Sequence, residues 1–361
     1  MNRMVTPDEP HGRRSGDPAR QRHDAGPVSA AADEAVPALW AMAQLATPMA
    51  VRVAATLRIA DHLASGLRTV PELAEATGAD ADGLARLMRY LAVRGVLSRD
   101  DSGRYALTAL GEPLRDDHPG GLRACLDVEE GGRAELCYVE LLHSVRTGEP
   151  AYPRRFGLSF WDDLAAEPRH EAAFRAMMRP GGTDRARRIA SAYDWASLGR
   201  VVDVGGGDGT LLVALLTAHP GLRAVLVERP PATDAARKAL AAAGVADRAE
   251  VETGDMFGPL PPGAAGYILS LVVHNWADDP ARAVLARCAE AAGTDGSVFV
   301  VENVSPDGAG PTGLDLRMLA YCGGKVRSLP ELSALAAEAG LGLASVHPAG
   351  AMSIVELHPG R

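Results

Sequence analysis

Cysteine is scarce and scattered in this chain. Among 361 residues only Cys125, Cys137, Cys288 and Cys322 carry a thiol, and no two of them form a C-x-x-C pair. Their spacing suggests neither a disulfide framework nor a thiolate zinc site, so no metal is expected and a reducing cytoplasm is the natural setting. Long apolar runs are missing too. No stretch approaches the roughly 18 residues of a membrane span, and the opening segment MNRMVTPDEPHGRRSGDPARQRHDAGP lacks the apolar centre of a secretion signal. Positive charge is outnumbered: 37 Lys and Arg face 46 Asp and Glu, a formal charge of −9 that argues against broad binding along a phosphate backbone. Neither a membrane nor a nucleic acid is expected as a partner.

What is present reads as a globular chain of two domains, 47% hydrophobic and 23% charged. Residues 1–35 read as a disordered tail. From Pro37 to Leu63 the sequence is Ala-rich and apolar on more than one face, which predicts two helices meeting at Pro48 and a second copy of the chain as the covering partner, a homodimer. Thr69 can cap a helix with Glu72 three residues on and Pro71 in its first turn; Gly78 stops that helix, and Asp80 or Asp82 caps the next. Leu84, Leu87, Met88 and Leu91 follow at helical spacing, then VLSRDDSGRYALT reads as a hairpin. Helix, turn, helix and hairpin make a winged helix over 36–118. Arg86, Arg89 and Arg94 allow a DNA-reading role, but the acids Asp80, Asp82, Asp100 and Asp101 beside them favour a dimerisation domain. Residues 119–190 read as a helical connector that contributes to a substrate pocket, and strand–helix alternation from Arg200 onward predicts a doubly wound parallel sheet in a final domain, 191–361.

The glycines of VVDVGGGDGT stand where a strand gives way to a helix. Their spacing resembles a nucleotide loop, yet Thr210 occupies the place of the last glycine in a dinucleotide G-x-G-x-x-G. Asp203 and Asp208 flank the turn, and two carboxylates would repel a diphosphate while suiting a cationic or amine-bearing ligand. Glu228, at the end of the next strand, can accept both ribose hydroxyls. Asp255, in ETGDMF, can accept from an adenine amine, with Met256 and Phe257 packing on the ring. Ribose and adenine without phosphate describe S-adenosylmethionine. The expected cofactor contacts are Asp203, Gly205, Gly207, Glu228, Asp255 and Met256, with Ser270 near the carboxylate and sulfonium end. Each acid taken singly could equally be a cap, a surface residue or a turn residue. His274, after the strand YILSLVV, can take a phenolic proton near neutral pH; the alternative is a histidine that fills a polar pocket while proximity does the work.

In this order the winged helix, the connector, VVDVGGGDG, LVERP, GDMF, LSLVVHNWADDPARAVLARC and LDLRMLAYCGG resemble the plant-type small-molecule O-methyltransferases over roughly residues 36–358, and most of all the branch that tailors bacterial anthracyclines. The resemblance implies a Rossmann-like class I methyltransferase domain of the α/β class behind an α-helical winged-helix dimerisation domain. It also implies interlocked N-terminal helices in a dimer, and transfer of methyl to a hydroxyl of an aromatic polyketide or related metabolite. Family members carry a His-Asp-Trp motif held by two glutamates. Here the motif reads His274-Asn275-Trp276; Glu302 keeps the first glutamate position and Val326 replaces the second. His274 is then the catalytic base, with Asn275 and Glu302 positioning it. Two other readings remain: a non-methylating hydroxylase or decarboxylase of the same family, and a winged-helix transcription regulator.

Overall fold

The computed structural model describes residues 27–178, 181–304 and 312–360. Most of the expected tail, residues 1–26, lies outside them, but helix Pro27–Ala43 begins inside the stretch assigned to it. The chain divides into two units, 1–47 and 48–361. In the first, Val36, Leu39, Trp40 and Met42 are all exposed on helix Pro27–Ala43. The break expected at Pro48 falls earlier, at Gln44–Leu45, and Pro48 stands in the first turn of helix Ala46–Thr56. A proline is tolerated there because the first N–H groups of a helix have no partner inside it.

In the second unit, helix Val70–Thr77 opens with the expected capping box. Thr69 N–H donates to Glu72 Oε2 at 2.8 Å, and Gly78 ends the helix at φ 68°. Asp80 caps helix Ala81–Val93 through Gly83 N–H at 2.8 Å. The apolar side of these helices packs as Leu73, Leu84, Met88 and Leu91 over the hairpin β1 (Leu97–Arg99) and β2 (Tyr105–Leu107), completing the winged helix. Among the described residues, seven short helical segments follow between Leu122 and Ser191, the stretch expected to be a connector. Their aromatic cluster, Tyr152, Phe160, Trp161 and Phe174, is shared with Tyr321 from far along the chain.

The sheet contains β3 (Arg200–Val204), β4 (Arg223–Glu228), β5 (Ala249–Thr253), β6 (Gly266–Ser270), β7 (Ser297–Glu302), β8 (Leu341–Ala349) and β9 (Met352–Pro359). The order is β5-β4-β3-β6-β7-β9-β8, with β9 antiparallel to both β7 and β8 and the other pairs parallel. Strands β3, β6 and β7 are almost wholly buried between two helical layers, hence their unbroken apolar sequences. The chain winds outward from β3 to β5 and then crosses back to β6 on the other side of β3. That reversal opens a crevice at the carboxyl ends of β3 and β6.

Candidate functional site

The glycine loop lies on one side of this crevice. Gly205, Gly207 and Gly209 have φ of 70°, 58° and 77°, a left-handed backbone that disfavours any side chain. Gly206 has a different reason to be bare: a Cβ there would stand 2.6 Å from Asp203 Oδ2. At Gly205 a Cβ would meet Val272 at 3.1 Å and the Met256 methyl at 3.2 Å, so backbone passes within contact of both. Asp203 is fully buried under the loop rather than at its mouth, and neither carboxylate oxygen finds a partner in the protein. Burial first, and then the negative charge of Glu228, push its pKa up to about 7.

Glu228, at the end of β4, accepts from Gly207 N–H at 3.1 Å and Arg229 N–H at 2.8 Å, which holds its carboxylate against the loop. Asp255 lies two residues beyond β5, exposed, with Oδ1 accepting from Phe257 N–H at 3.0 Å. Ser270 is the last residue of β6 and half-buried. A further acid, Glu171 on helix Pro168–Met178, was not singled out in the sequence. Its pKa is raised by burial, against the pull of Arg175, and the charges of Glu228 and Asp208 raise it further, which sets this connector helix beside the glycine loop.

His274 stands in the turn that follows β6, and Glu302 closes the neighbouring β7. The two are buried together: Glu302 Oε1 accepts from His274 N–H at 2.8 Å and lies 3.3 Å from His274 Nδ1. Asn275 turns away from this pair and donates from Nδ2 to Leu271 O at 2.9 Å, bracing the turn where Leu271 has φ 57°. Among the described residues Glu302 is the one glutamate paired with His274, and at the place of the second stands Val326, whose own N–H donates to Asp315 at 2.8 Å. Two neighbours in the sequence secure the turn instead. Gly324 rests directly on the backbone of His274 and Asn275, leaving no space for a Cβ, and Lys325 N–H donates to His274 O at 3.0 Å. Arg327, 3% exposed, donates to Val273 O, Trp276 O and Asp278 Oδ1. Sequence reasoning missed Arg327; a lone arginine among polar residues carries no periodicity or motif.

A cavity of about 270 Å³ opens between the connector and the sheet, lined among others by Trp161, Asp162, Asp255, Met256, Phe257 and Trp276. Trp161 and Trp276 stack with ring centroids 6.2 Å apart and planes 27° from parallel, and Phe257 meets Trp276 edge-on at 5.0 Å. Among the described residues no group of three or more His, Cys, Asp and Glu side chains could hold a metal ion, and no helix is long and apolar enough to cross a membrane.

Two family models match this chain, one described as an O-methyltransferase domain over residues 138–342 and one as an O-methyltransferase dimerisation domain over 40–115. The chain belongs to the O-methyltransferase family. It is 53% identical over 320 residues to 2,7-dihydroxy-5-methyl-1-naphthoate 7-O-methyltransferase of Streptomyces carzinostaticus, covering 88% of this chain and 96% of that one. It is 41% identical over 321 residues to aclacinomycin 10-hydroxylase of Streptomyces purpurascens, covering 87% and 86%. The crystal structure of an O-methyltransferase from neocarzinostatin biosynthesis, in complex with S-adenosylmethionine and 2-hydroxy-5-methyl naphthoic acid, superposes with a TM-score of 0.85 over 88% of this chain and 98% of that one, at 53% identity.

This O-methyltransferase takes S-adenosylmethionine as cofactor. Its residues fit that group. The loop keeps four backbone positions bare, the buried Asp203 has two oxygens without partners, and Glu228 uses one lone pair on each oxygen and keeps others free. A cationic, hydroxyl-bearing ligand suits both acids, whereas a diphosphate would suit the bare loop but be repelled by them.

Proposed function

We propose that this O-methyltransferase methylates a hydroxyl on a fused-ring aromatic metabolite of polyketide type, with His274 as general base. The observation that carries the mechanism is the buried His274–Glu302 pair at the carboxyl edge of the sheet. Glu302 beside Nδ1 favours the tautomer protonated there, which leaves Nε2 with a free lone pair to accept the substrate's proton. Glu302 also stabilises the imidazolium that results. Asn275, Gly324 and Arg327 act on the turn rather than on the substrate: they fix where the ring stands. S-adenosylmethionine supplies an electrophilic methyl group on a sulfonium. The chain's part is to align the hydroxyl, exclude water and remove one proton, and these needs are met without the second glutamate.

For the cofactor, we assign Glu228 to the ribose hydroxyls, Asp255 and Met256 to the adenine, and Gly205 and Gly207 to close backbone approach. Asp203 lies beneath the positively charged end and Ser270 at the carboxylate end. We assign the connector, 119–190, to one wall of the substrate pocket; its Phe160, Trp161 and Asp162 line the cavity whose other side, Asp255 and Met256, is given to the cofactor. The winged helix, 36–118, serves a cytoplasmic homodimer and not DNA: Arg86 on its second helix is paired with Asp82, one turn before it. The sheet domain then runs from 191 to 361. Incubation with cofactor and hydroxylated polycyclic substrates, followed by mass spectrometry, tests the reaction. A gain of one methyl group supports the reading; a gain of oxygen or a loss of carbon dioxide would place the enzyme with its non-methylating relatives.

A further inference from the structure

The wall that the connector lends to the cavity rests on a single buried oxygen. Asp163, 7% exposed, lies on helix Phe160–Ala166, and its Oδ2 accepts from Arg133 Nη1 at 2.7 Å and from Tyr152 OH at 2.7 Å. His170 Nδ1 stands 3.1 Å from the same atom. These partners come from three other helices of the connector, Arg133–Glu140, Ala151–Phe156 and Pro168–Met178, so one carboxylate ties four elements together. Arg133 is fixed in turn by the Phe156 ring, whose centroid lies 3.9 Å from its guanidinium carbon. Burial first, and then the hydrogen bond to Asp163, hold the Tyr152 pKa well above its ordinary value, so its hydroxyl remains a donor. Packing alone does not call for a charge here, because apolar side chains of like volume in place of a buried ion pair are often neutral or stabilising.

What this oxygen holds is the helix that carries Phe160 and Trp161. Both residues line the cavity, and their helix has seven residues, too few to be stable by itself. Trp161 and Asp163 are two positions apart, roughly 200° around the helix axis. Anchoring the carboxylate within the connector therefore turns the indole to the cavity, where it stacks on Trp276 at 6.2 Å. We propose that Asp163 is a positioning residue for the cofactor site: through Arg133, Tyr152 and His170 it fixes the helix that sets Trp161 against Trp276, across the cavity from Asp255 and Met256. This rests on the assignment of Asp255 and Met256 to the adenine and deepens it, since it names what holds the facing wall in place before the cofactor arrives. A preset wall spares the cofactor the cost of ordering these side chains on binding. Asp163 itself is not among the residues that line the cavity, so its effect passes through Trp161.

The test is calorimetric binding of S-adenosylhomocysteine to the intact enzyme, together with the far-ultraviolet exciton couplet that two stacked indoles produce in circular dichroism. Trp161→Phe should abolish the couplet and lower the affinity; unchanged affinity there would overturn the placing of the cofactor against this wall, and the proposal with it. Asp163→Asn keeps the shape of the side chain and removes its charge. It should lose most of the couplet and weaken S-adenosylhomocysteine by about three- to tenfold, the cost of ordering one freed side chain on binding. Tyr152→Phe removes one donor and keeps the ring, and it should move both readouts in the same direction by less, which keeps the test decisive if the Asp163 variant does not fold. A folded variant of either kind that unfolds at a lower temperature yet keeps couplet and affinity at wild-type values has lost only stability. That result overturns the positioning role while leaving the cofactor assignment intact.

Discussion

Replacing Asp203 by asparagine isolates the cost of keeping a carboxylate under the glycine loop. In the folded protein burial and the Glu228 charge raise this pKa to about 7, whereas in the unfolded chain it returns to about 3.9. An acid whose folded pKa is raised binds its proton more tightly in the native state. Its contribution to stability is therefore present at low pH and is lost as pH rises through about 7. Linkage between these two values gives a loss of roughly 2–3 kcal/mol from pH 5 to pH 8 from this group alone. Asp203→Asn removes the titration while keeping the size and polarity of the side chain. Its amide brings two donors into a site where Asp203 has no partner, at a cost of roughly 1–3 kcal/mol, but that penalty does not depend on pH. The informative quantity is thus the pH dependence of the difference between the two proteins. Urea unfolding of cofactor-free protein at pH 5 and pH 8, read as midpoint times slope, measures it. The wild type should lose roughly 2–3 kcal/mol relative to D203N across that interval. Parallel stability profiles between pH 5 and 8 would refute the reasoning, because they would mean that Asp203 ionises in the ordinary carboxylate range.

Three other perturbations address the remaining parts of the site. His274→Ala should lower turnover by about 10²–10⁴ with S-adenosylhomocysteine affinity unchanged, whereas a loss below about tenfold would assign the rate to proximity alone. Glu302→Gln, which keeps an acceptor oxygen for the His274 backbone N–H but removes the charge beside Nδ1, should lower kcat in steady-state assays, by less than His274→Ala does. Glu228→Ala should weaken S-adenosylhomocysteine by about 1–3 kcal/mol in titration calorimetry; unchanged affinity would remove the ribose assignment. Light scattering behind size exclusion should give twice the chain mass, and a clean monomer at micromolar concentration would leave the exposed Val36, Leu39, Trp40 and Met42 without their proposed cover.

Much of the architecture is legible in the sequence because its signals are local. Thr69, Glu72, Gly78 and Asp80 mark their helix ends through hydrogen bonds and backbone angles that lie within four residues. The bare backbone of residues 205–209 is announced by glycines whose positive φ few other residues tolerate, and the buried strands by apolar runs without alternation. The acids at 228 and 255 were marked because strand ends in such a sheet share one edge, a consequence of connection geometry that sequence order carries. What the sequence misplaced was decided by small local competition: Pro48 suits a first helical turn as well as a break, and helix Pro27–Ala43 forms in a stretch whose composition alone suggested a tail.

The rest depends on distances between residues far apart along the chain. That Asp203 lies under its loop rather than at the mouth follows from the pleat of a strand buried on both faces, which sequence alternation does not reveal when both faces are apolar. The bracing of the His274 turn by Gly324, Lys325 and Arg327 was invisible, because it comes from a segment about fifty residues away and a bare glycine or a lone arginine has no pattern of its own. So too with Trp161 and Trp276, which are 115 positions apart (276 − 161) and become one wall only when the connector folds against the sheet. The sequence by itself determined the elements, their order and the edge at which ligands bind, since these follow from propensity, capping and strand connection. Only the tertiary structure decided which side chains meet there and which acid is left without a partner, because pairing and burial are properties of packed surfaces and not of spacing along the chain.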